Sequence, residues 1–299
     1  MSDIRFDGQV VIITGAGGGL GKCHALEFAR RGAKVVVNDL GGSVDGSGGS
    51  SAAADAVVAE IKAAGGEAMS DGASVTDDKG VANLVERTMS AWGRIDVLVA
   101  NAGILRDKSF SKMELSDFSA VVDVHLMGAV KPLKAMWEVM RAQNYGRVVV
   151  TTSSTGLYGN FGQANYGAAK LSLVGLMNTM KQEGAKNDIR FNAISPVAAT
   201  RMTDNIMPPD MLAKFAPEYV TPGVVYLASQ DAPNGAILTA GAGVFALARI
   251  VETEGAFLGA GASAEAVRDH WAQIESSEGA QAYAAGMYQT QKFLRKTEL

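Results

Sequence analysis

An α/β architecture, a doubly wound parallel sheet with helices on both faces, is predicted by three features of this sequence. Short runs rich in valine and isoleucine alternate with longer amphipathic stretches over the first two hundred residues. Each run is closed by Gly, Asn, Ser or Pro. The runs are apolar at nearly every position, as strands covered on both faces must be. Strand–helix alternation of this kind builds a parallel sheet through right-handed crossovers. At 299 residues and 47% apolar, the chain can bury a large core.

The strands fall, in order, at QVVIITG (9–15), KVVVND (34–39), a weaker GEAMSDGASV (66–75), DVLVANAG (96–103), RVVVTTSS (147–154) and IRFNAISP (189–196). The amphipathic stretches between them predict helices over 20–31, 50–64, 77–92, 116–142 and 163–187. GGSVDGSGGSS (41–51) lies inside a βαβ unit, so it reads as a surface loop beside a site rather than a linker. TRMTDNIMPPDMLAKFAPEY (200–219), with its three prolines, reads as an excursion of short helices. Residues 1–250 are expected to form one domain. Residues 251–299, with AEAVRDHWAQI (264–274) as an example, form a helical, amphipathic C-terminal extension packed on it.

Composition removes several classes of function. The net charge is −4 and no basic stripe is present, which argues against nucleic acid. A single cysteine, Cys23, excludes a disulfide framework, and the scattered His24, His125 and His270 do not make a metal site, so no metal is expected. The N-terminus lacks a basic segment followed by an apolar one, so no signal peptide is read there. No apolar run reaches the ~18 residues of a membrane span. A cytoplasmic protein is expected, and the closing KTEL is taken as a chance echo of a retention signal.

The first candidate site is TGAGGGLG (14–21), between strand one and helix one. Thr14, Gly15, Gly17, Gly19, Leu20 and Gly21 form a turn whose glycines let backbone approach a pyrophosphate, at a helix N-terminus that offers free N–H groups. Following the first strand directly, this is a Rossmann-type dinucleotide signature. Asp39, ending strand two, can accept from both ribose hydroxyls and would repel a 2′-phosphate. The turn carries no Arg or Lys to neutralise such a phosphate, so NAD is favoured over NADP. A helix N-cap is the alternative reading of Asp39. Ser74 and Val75 are placed near the adenine. Asn101, Ala102 and Gly103 lie near the adenosine ribose or brace the sheet.

The second site lies in SSTGLYGNFGQANYGAAK (153–170). A tyrosine titrates near ~10 and is a poor base at neutral pH, but Tyr166 and Lys170 are i and i+4 and share a helix face. The ammonium is expected to lower the phenol pKa and to hold the nicotinamide ribose. Ser153, at the end of a neighbouring strand, can hold a substrate oxygen while Tyr166 moves the proton. Each residue alone has a bland reading, as a helix surface or a turn; together they specify an acid/base pair with an oxygen anchor.

These motifs, Thr14-Gly15-x-x-x-Gly19-x-Gly21, Asn101-Ala102-Gly103, Ser153 and Tyr166-x-x-x-Lys170, resemble the short-chain dehydrogenase/reductase family. VVVNDLGG, NAGILRDKSF, YGRVVVTTSSTGLYGNFGQANYGAAKLSLVGL and PEYVTPGVVYLAS are similar to its (3R)-hydroxyacyl-CoA dehydrogenase subgroup, carried as one domain of multifunctional peroxisomal enzymes; here it resembles a stand-alone version. The resemblance implies NAD-dependent interconversion of a secondary alcohol and a ketone, with an acyl-CoA or steroid substrate. A hydroxysteroid (17β-type) dehydrogenase is the alternative, and a non-catalytic dinucleotide sensor a remote one. It implies Tyr166 as general acid/base, Lys170 as its tuning partner and Ser153 as the polarising hydroxyl. It implies a homo-oligomer, dimer or tetramer, through the helices at 116–142 and 163–187. His125 stands where many members carry an Asn that supports a relay water; it is expected either to hold that water or to contact a backbone carbonyl. Ala73 stands where the subgroup tends to be acidic. Gln163 and Asn165 either line the pocket or cap the helix. Pro196 to Thr200 are expected over the nicotinamide, with Ala198 and Thr200 on its carboxamide. Residues 203–220 are expected to form a substrate lid, whose Met207, Pro208, Pro209, Met211 and Pro217 suit an adaptable apolar wall.

Overall fold

In the computed structural model, which describes residues 3–199 and 212–297, all six predicted strands form and two more follow. They are β1 (Val10–Thr14), β2 (Lys34–Asn38), β3 (Glu67–Asp71), β4 (Val97–Ala100), β5 (Gly146–Thr151), β6 (Ile189–Pro196), β7 (Ile237–Gly241) and β8 (Val244–Ala248). Their order in the one sheet is β3-β2-β1-β4-β5-β6-β7-β8, and every pairing from β3 through to β7 is parallel. The chain walks outward from β1 to β3, then returns to place β4 on the other side of β1. That reversal opens a crevice at the carboxyl ends of β1 and β4, where doubly wound sheets take their ligands. The register carries the same edge to β5 and β6, with Ala100 opposite Val150 and Thr151 opposite Ile194.

The helices are α1 (Gly19–Arg30), α2 (Ala52–Ala63), α3 (Asp78–Trp92), α4 (Leu115–Val122), α5 (Gly128–Gln143), α6 (Ser154–Tyr158), α7 (Ala164–Gly184) and α8 (Thr221–Leu227). Residues of β1, β2, β4 and β5 are buried almost without exception, which is why these strands read as unbroken apolar runs. One core joins Val11, Ile13, Val35, Val37, Val97 and Val99 to Phe28 of α1, Val57 and Ile61 of α2, and Val224 of α8.

Two departures from the sequence reading matter. The long helix expected over 116–142 is interrupted by a π-helical turn, Asp123–Met127. Such a turn inserts an extra residue and re-aims what it carries, here His125. The hairpin β7–β8 was not expected: it is rich in Ala and Gly, which favour strands poorly. Its two turn residues, Ala242 (φ 50°) and Gly243 (φ 78°), both adopt positive φ, as a tight hairpin demands, without the usual Asn-Gly signal.

The chain divides between residues 247 and 248 into two compact units. The second holds short helices α9 (Ala264–Asp269) and α10 (Trp271–Ile274) and the longer α11 (Gly286–Thr297). Within it Lys292, buried, donates to Glu252 at 2.9 Å. Among the described residues no helix is long and apolar enough to cross a membrane.

Candidate active site

The turn after β1 is held by the segment after β4. Asn101 Nδ2 donates to the carbonyls of Thr14 and Gly15, each at 3.1 Å. The Thr14 hydroxyl accepts from the backbone N–H groups of Asn101 and Ala102, each at 3.1 Å. Asn101 therefore braces the turn and ties the end of β4 to the end of β1. Gly15 sits at φ +65°, and a Cβ on Gly21 would fall on the Gly15 carbonyl oxygen, so the path of the chain here requires glycine. Leu20 packs against the main core. α1 starts behind Gly18 with no side-chain cap on its first-turn N–H groups, which leaves those donors for an anion.

Asp39 follows β2. Its Oδ2 accepts from Gly17 N–H at 2.7 Å and its Oδ1 from Gly41 N–H at 2.6 Å. It is not a helix cap, since α2 starts at Ala52; each oxygen keeps a second lone pair for a ribose hydroxyl. The loop 41–51 is folded: Ser50 N–H donates to Leu40 O, and Leu105 N–H to Val44 O. Ser74 pairs with Thr76 at 2.9 Å, and Val75 is buried against Gly128. At Ala73 the backbone carbonyl, not a side chain, makes the polar contact: it accepts from Asn38 Nδ2 at 2.9 Å.

Ser153, Tyr166, Lys170 and His125 converge next to this turn. Ser153 caps α6 from the end of β5, its Oγ accepting from Thr155 N–H at 3.2 Å. Tyr166 packs on Ile104, Val121 and Ala169, with the His125 ring edge-on at 5.1 Å. Lys170 Nζ lies 5.5 Å from the Tyr166 ring centre and donates to Thr151 O at 2.6 Å. The expected lowering of the tyrosine pKa is not found in the protein alone. Burial pushes the Tyr166 phenol up, a hydrogen bond with Ser153 pulls it back, and the charge of Asp107 raises it further. Burial also pushes Lys170 down to about 7, so the ammonium that was to stabilise the phenolate is itself only partly charged at neutral pH.

His125 is buried and held well below its ordinary pKa, by burial first and then by Lys170. Its Nε2 lies 2.8 Å from Ile104 O and 3.2 Å from Ile104 N, which is the backbone contact foreseen as one alternative. Its Nδ1 is buried without a partner among the described residues, as is Thr151 Oγ1. Gly103 lies under this ring; a Cβ there would strike Cε1. Pro196 ends β6 on the same edge, and Ala198, buried, follows it. Thr200, and the Met207, Pro208, Pro209 and Met211 of the expected lid, lie outside the described residues.

Gln163 precedes α7 without capping it by its side chain, which removes one of its two expected roles; instead its Nε2 donates to Asp107 Oδ2 at 2.6 Å. Asn165 is buried, donating to Arg106 O at 3.0 Å and accepting from Tyr166 N–H at 2.7 Å. Asp107 and Thr155 belong to the site and went unnoticed in the sequence, where no spacing rule connects 107 to 163.

Residues 9–210 match the family model described as short chain dehydrogenase. The chain is 50% identical over 274 residues to the peroxisomal multifunctional enzyme A of Dictyostelium discoideum, covering 91% of this chain and 61% of that protein. Its fold matches full-length peroxisomal multifunctional enzyme type 2 from Drosophila melanogaster with a TM-score of 0.83 and 38% identity, over 99% of this chain and 50% of that one. A 7α-hydroxysteroid dehydrogenase solved with NADH and 7-oxo glycochenodeoxycholic acid matches with a TM-score of 0.73 and 27% identity, over 81% of this chain and 98% of that one. The chain thus spans between half and two thirds of the length of these two multifunctional relatives.

Proposed function

This chain belongs to the short-chain dehydrogenase family, and we propose that it is an NAD-dependent oxidoreductase that interconverts a (3R)-3-hydroxyacyl-CoA and its 3-ketoacyl-CoA. The observation that carries the reading is the convergence of Ser153, Tyr166 and Lys170 beside an uncapped helix N-terminus at the sheet's reversal point. The donors present fit a nicotinamide dinucleotide: the Gly15–Gly21 turn and α1 for the pyrophosphate, Asp39 for a ribose that carries no 2′-phosphate. Ser74 and Val75 would face the adenine, and Pro196 and Ala198 the nicotinamide. When bound, the cofactor accepts or returns the hydride.

The protein's own work is proton transfer and positioning. In oxidation, Ser153 holds the substrate oxygen, and Tyr166 Oη takes the hydroxyl proton as the hydride leaves the same carbon. In reduction, Tyr166 returns that proton to the ketone oxygen. Lys170, in the fraction that carries its proton, supplies positive charge beside the phenol, and His125 steadies the ring edge-on. Because the Tyr166 phenol is raised, it is protonated at neutral pH and ready for reduction. Oxidation needs the phenolate, so NADH formation should climb with pH above neutral; a flat profile would contradict the assignment. Tyr166→Phe should cost at least about a hundredfold in kcat, the usual scale of general acid–base catalysis, with NADH binding retained. Normal turnover by this variant would sink the mechanism.

The acyl-CoA reading is supported by the multifunctional enzymes the chain resembles. A hydroxysteroid substrate is the second reading, favoured by the match to the steroid dehydrogenase. A panel of (3R)- and (3S)-hydroxyacyl-CoAs and a 17β-hydroxysteroid, each with NAD and NADP, separates them. A homo-oligomer is proposed through the helices over 116–142 and α7, where the exposed Leu171 and open Gly175 of α7 leave room for a partner helix.

A further inference from the structure

We propose that Asp107 and Gln163 are positioning residues that set the direction of the Ser153 hydroxyl. This rests on the reading of Ser153 as the group that holds the substrate oxygen. The argument follows one chain of polar contacts. A carboxylate only accepts hydrogen bonds, so the 2.6 Å contact to Asp107 Oδ2 must be made by the Gln163 NH₂ group. That fixes the amide's orientation and turns Oε1 inward, where the buried Thr155 hydroxyl donates to it at 2.8 Å. Thr155 backbone N–H in turn donates to Ser153 Oγ at 3.2 Å. With that lone pair engaged, the Ser153 proton is left to point outward toward Tyr166 and the reacting oxygen.

The chain has a mechanical purpose. α6 is five residues long, too short to hold its own first turn, and that turn carries the N–H on which Ser153 depends. The Thr155–Gln163–Asp107 tie anchors it to the loop after β4. A backbone bond from Lys108 N–H to Gly162 O at 2.9 Å joins the same two segments.

The charge of Asp107 matters as well. The ionisable groups around Tyr166 are Lys170 on its own helix, the neutral His125 from the π-helical turn and Asp107 from the loop. Arg106 and Lys108, flanking Asp107, are each paired with Asp117, at 3.2 and 3.3 Å, so neither neutralises it. The negative charge of Asp107 therefore opposes the phenolate.

The test uses the full chain with NAD and (3R)-hydroxydecanoyl-CoA, comparing wild type with Tyr166→Phe, Asp107→Leu, Asp107→Asn and Gln163→Leu; NADH binding by fluorescence establishes that each variant is folded. Asp107→Leu and Gln163→Leu should each lose on the order of tenfold to a hundredfold in kcat, as misplaced catalytic groups do, with KM for NAD unchanged. Asp107→Asn keeps an acceptor oxygen for Gln163, so its kcat should return to within a few-fold of wild type. The midpoint of its kcat/KM profile should move to lower pH, because a negative charge beside the phenol is gone. The proposal is overturned if Gln163→Leu and Asp107→Leu keep wild-type kcat while Tyr166→Phe is inactive. It is also overturned if Asp107→Asn loses as much as Asp107→Leu. Should Tyr166→Phe turn over normally, the underlying functional reading fails instead. Gln163→Leu decides the matter alone if Asp107→Leu does not fold.

Discussion

The two ends of the crevice are built on opposite principles. At the β1 end the polar groups are already satisfied by one another: Asn101 holds the turn carbonyls, Thr14 collects two N–H groups, and Asp39 accepts two more. At the β5 end the groups are buried and held away from their ordinary ionisation. Lys170 is pushed down to about 7, the Tyr166 phenol is pushed up, and His125 Nδ1 and Thr151 Oγ1 lack a partner among the described residues. The first arrangement is a rigid mould. The second stores electrostatic tension that a bound charge can relieve, which is where perturbed ionisation and function coincide.

Substitutions at the two ends should therefore fail differently. The largest effect is expected for Lys170→Met, which should lower kcat by on the order of 10²–10⁴ without destabilising the fold in proportion. The wild-type lysine binds a proton up to pH 10.5 when unfolded but only to about 7 when folded. The unfolded state holds more protons in that window, so apo stability should rise with pH from about 7 to 10.5, by up to about 1.4 kcal/mol per unit. Denaturant melts across that window should show the slope in wild type and lose it in Lys170→Met; an unchanged slope would mean the lysine is not desolvated.

Gly21→Ala should behave as the reverse. Its Cβ lands on the Gly15 carbonyl, and overpacking of this kind costs about 1–3 kcal/mol, lowering Tm by roughly 5 °C. NADH affinity should fall at least about tenfold, while any bound enzyme retains its pH profile. A pH profile that shifts together with affinity would erase the contrast between the two ends. The smallest effect is expected for Asp39→Asn. Removing the carboxylate charge should move the NAD-to-NADP ratio of kcat/KM toward NADP by about tenfold, or ~1.4 kcal/mol. Unchanged preference would place cofactor discrimination elsewhere.

Much of this architecture could be read directly. Apolar runs buried on both faces leave a nearly continuous signal, and a glycine turn between strand and helix has a local cause, so β1, β2, β4, β5 and β6 and the turn at 14–21 are written in adjacent residues, whereas β3, EAMSD, leaves only a weak trace. Tyr166 and Lys170 are legible for the same reason, because a helix turns i and i+4 to one side. β7 and β8 are not, because their Ala/Gly-rich segments become strands by adding to an existing sheet edge. Nor is the π-helical turn at Asp123–Met127, which depends on His125 reaching Ile104 and lying over Gly103.

The sequence by itself determined the order of β1 to β6 with helices between them, the glycine turn and the identity of the groups that can move a proton. All are set by periodicity and local backbone chemistry. Only the tertiary structure decided their ionisation and aim. Burial of Lys170 and Tyr166 comes from α7 packing on β5, β6 and α4, and it reverses the direction that Coulomb attraction alone would predict. The tie from Asp107 through Gln163 and Thr155 to Ser153 spans segments 56 residues apart at its widest. Desolvation and hydrogen-bond direction depend on what surrounds a group in three dimensions, and no spacing along the chain records that.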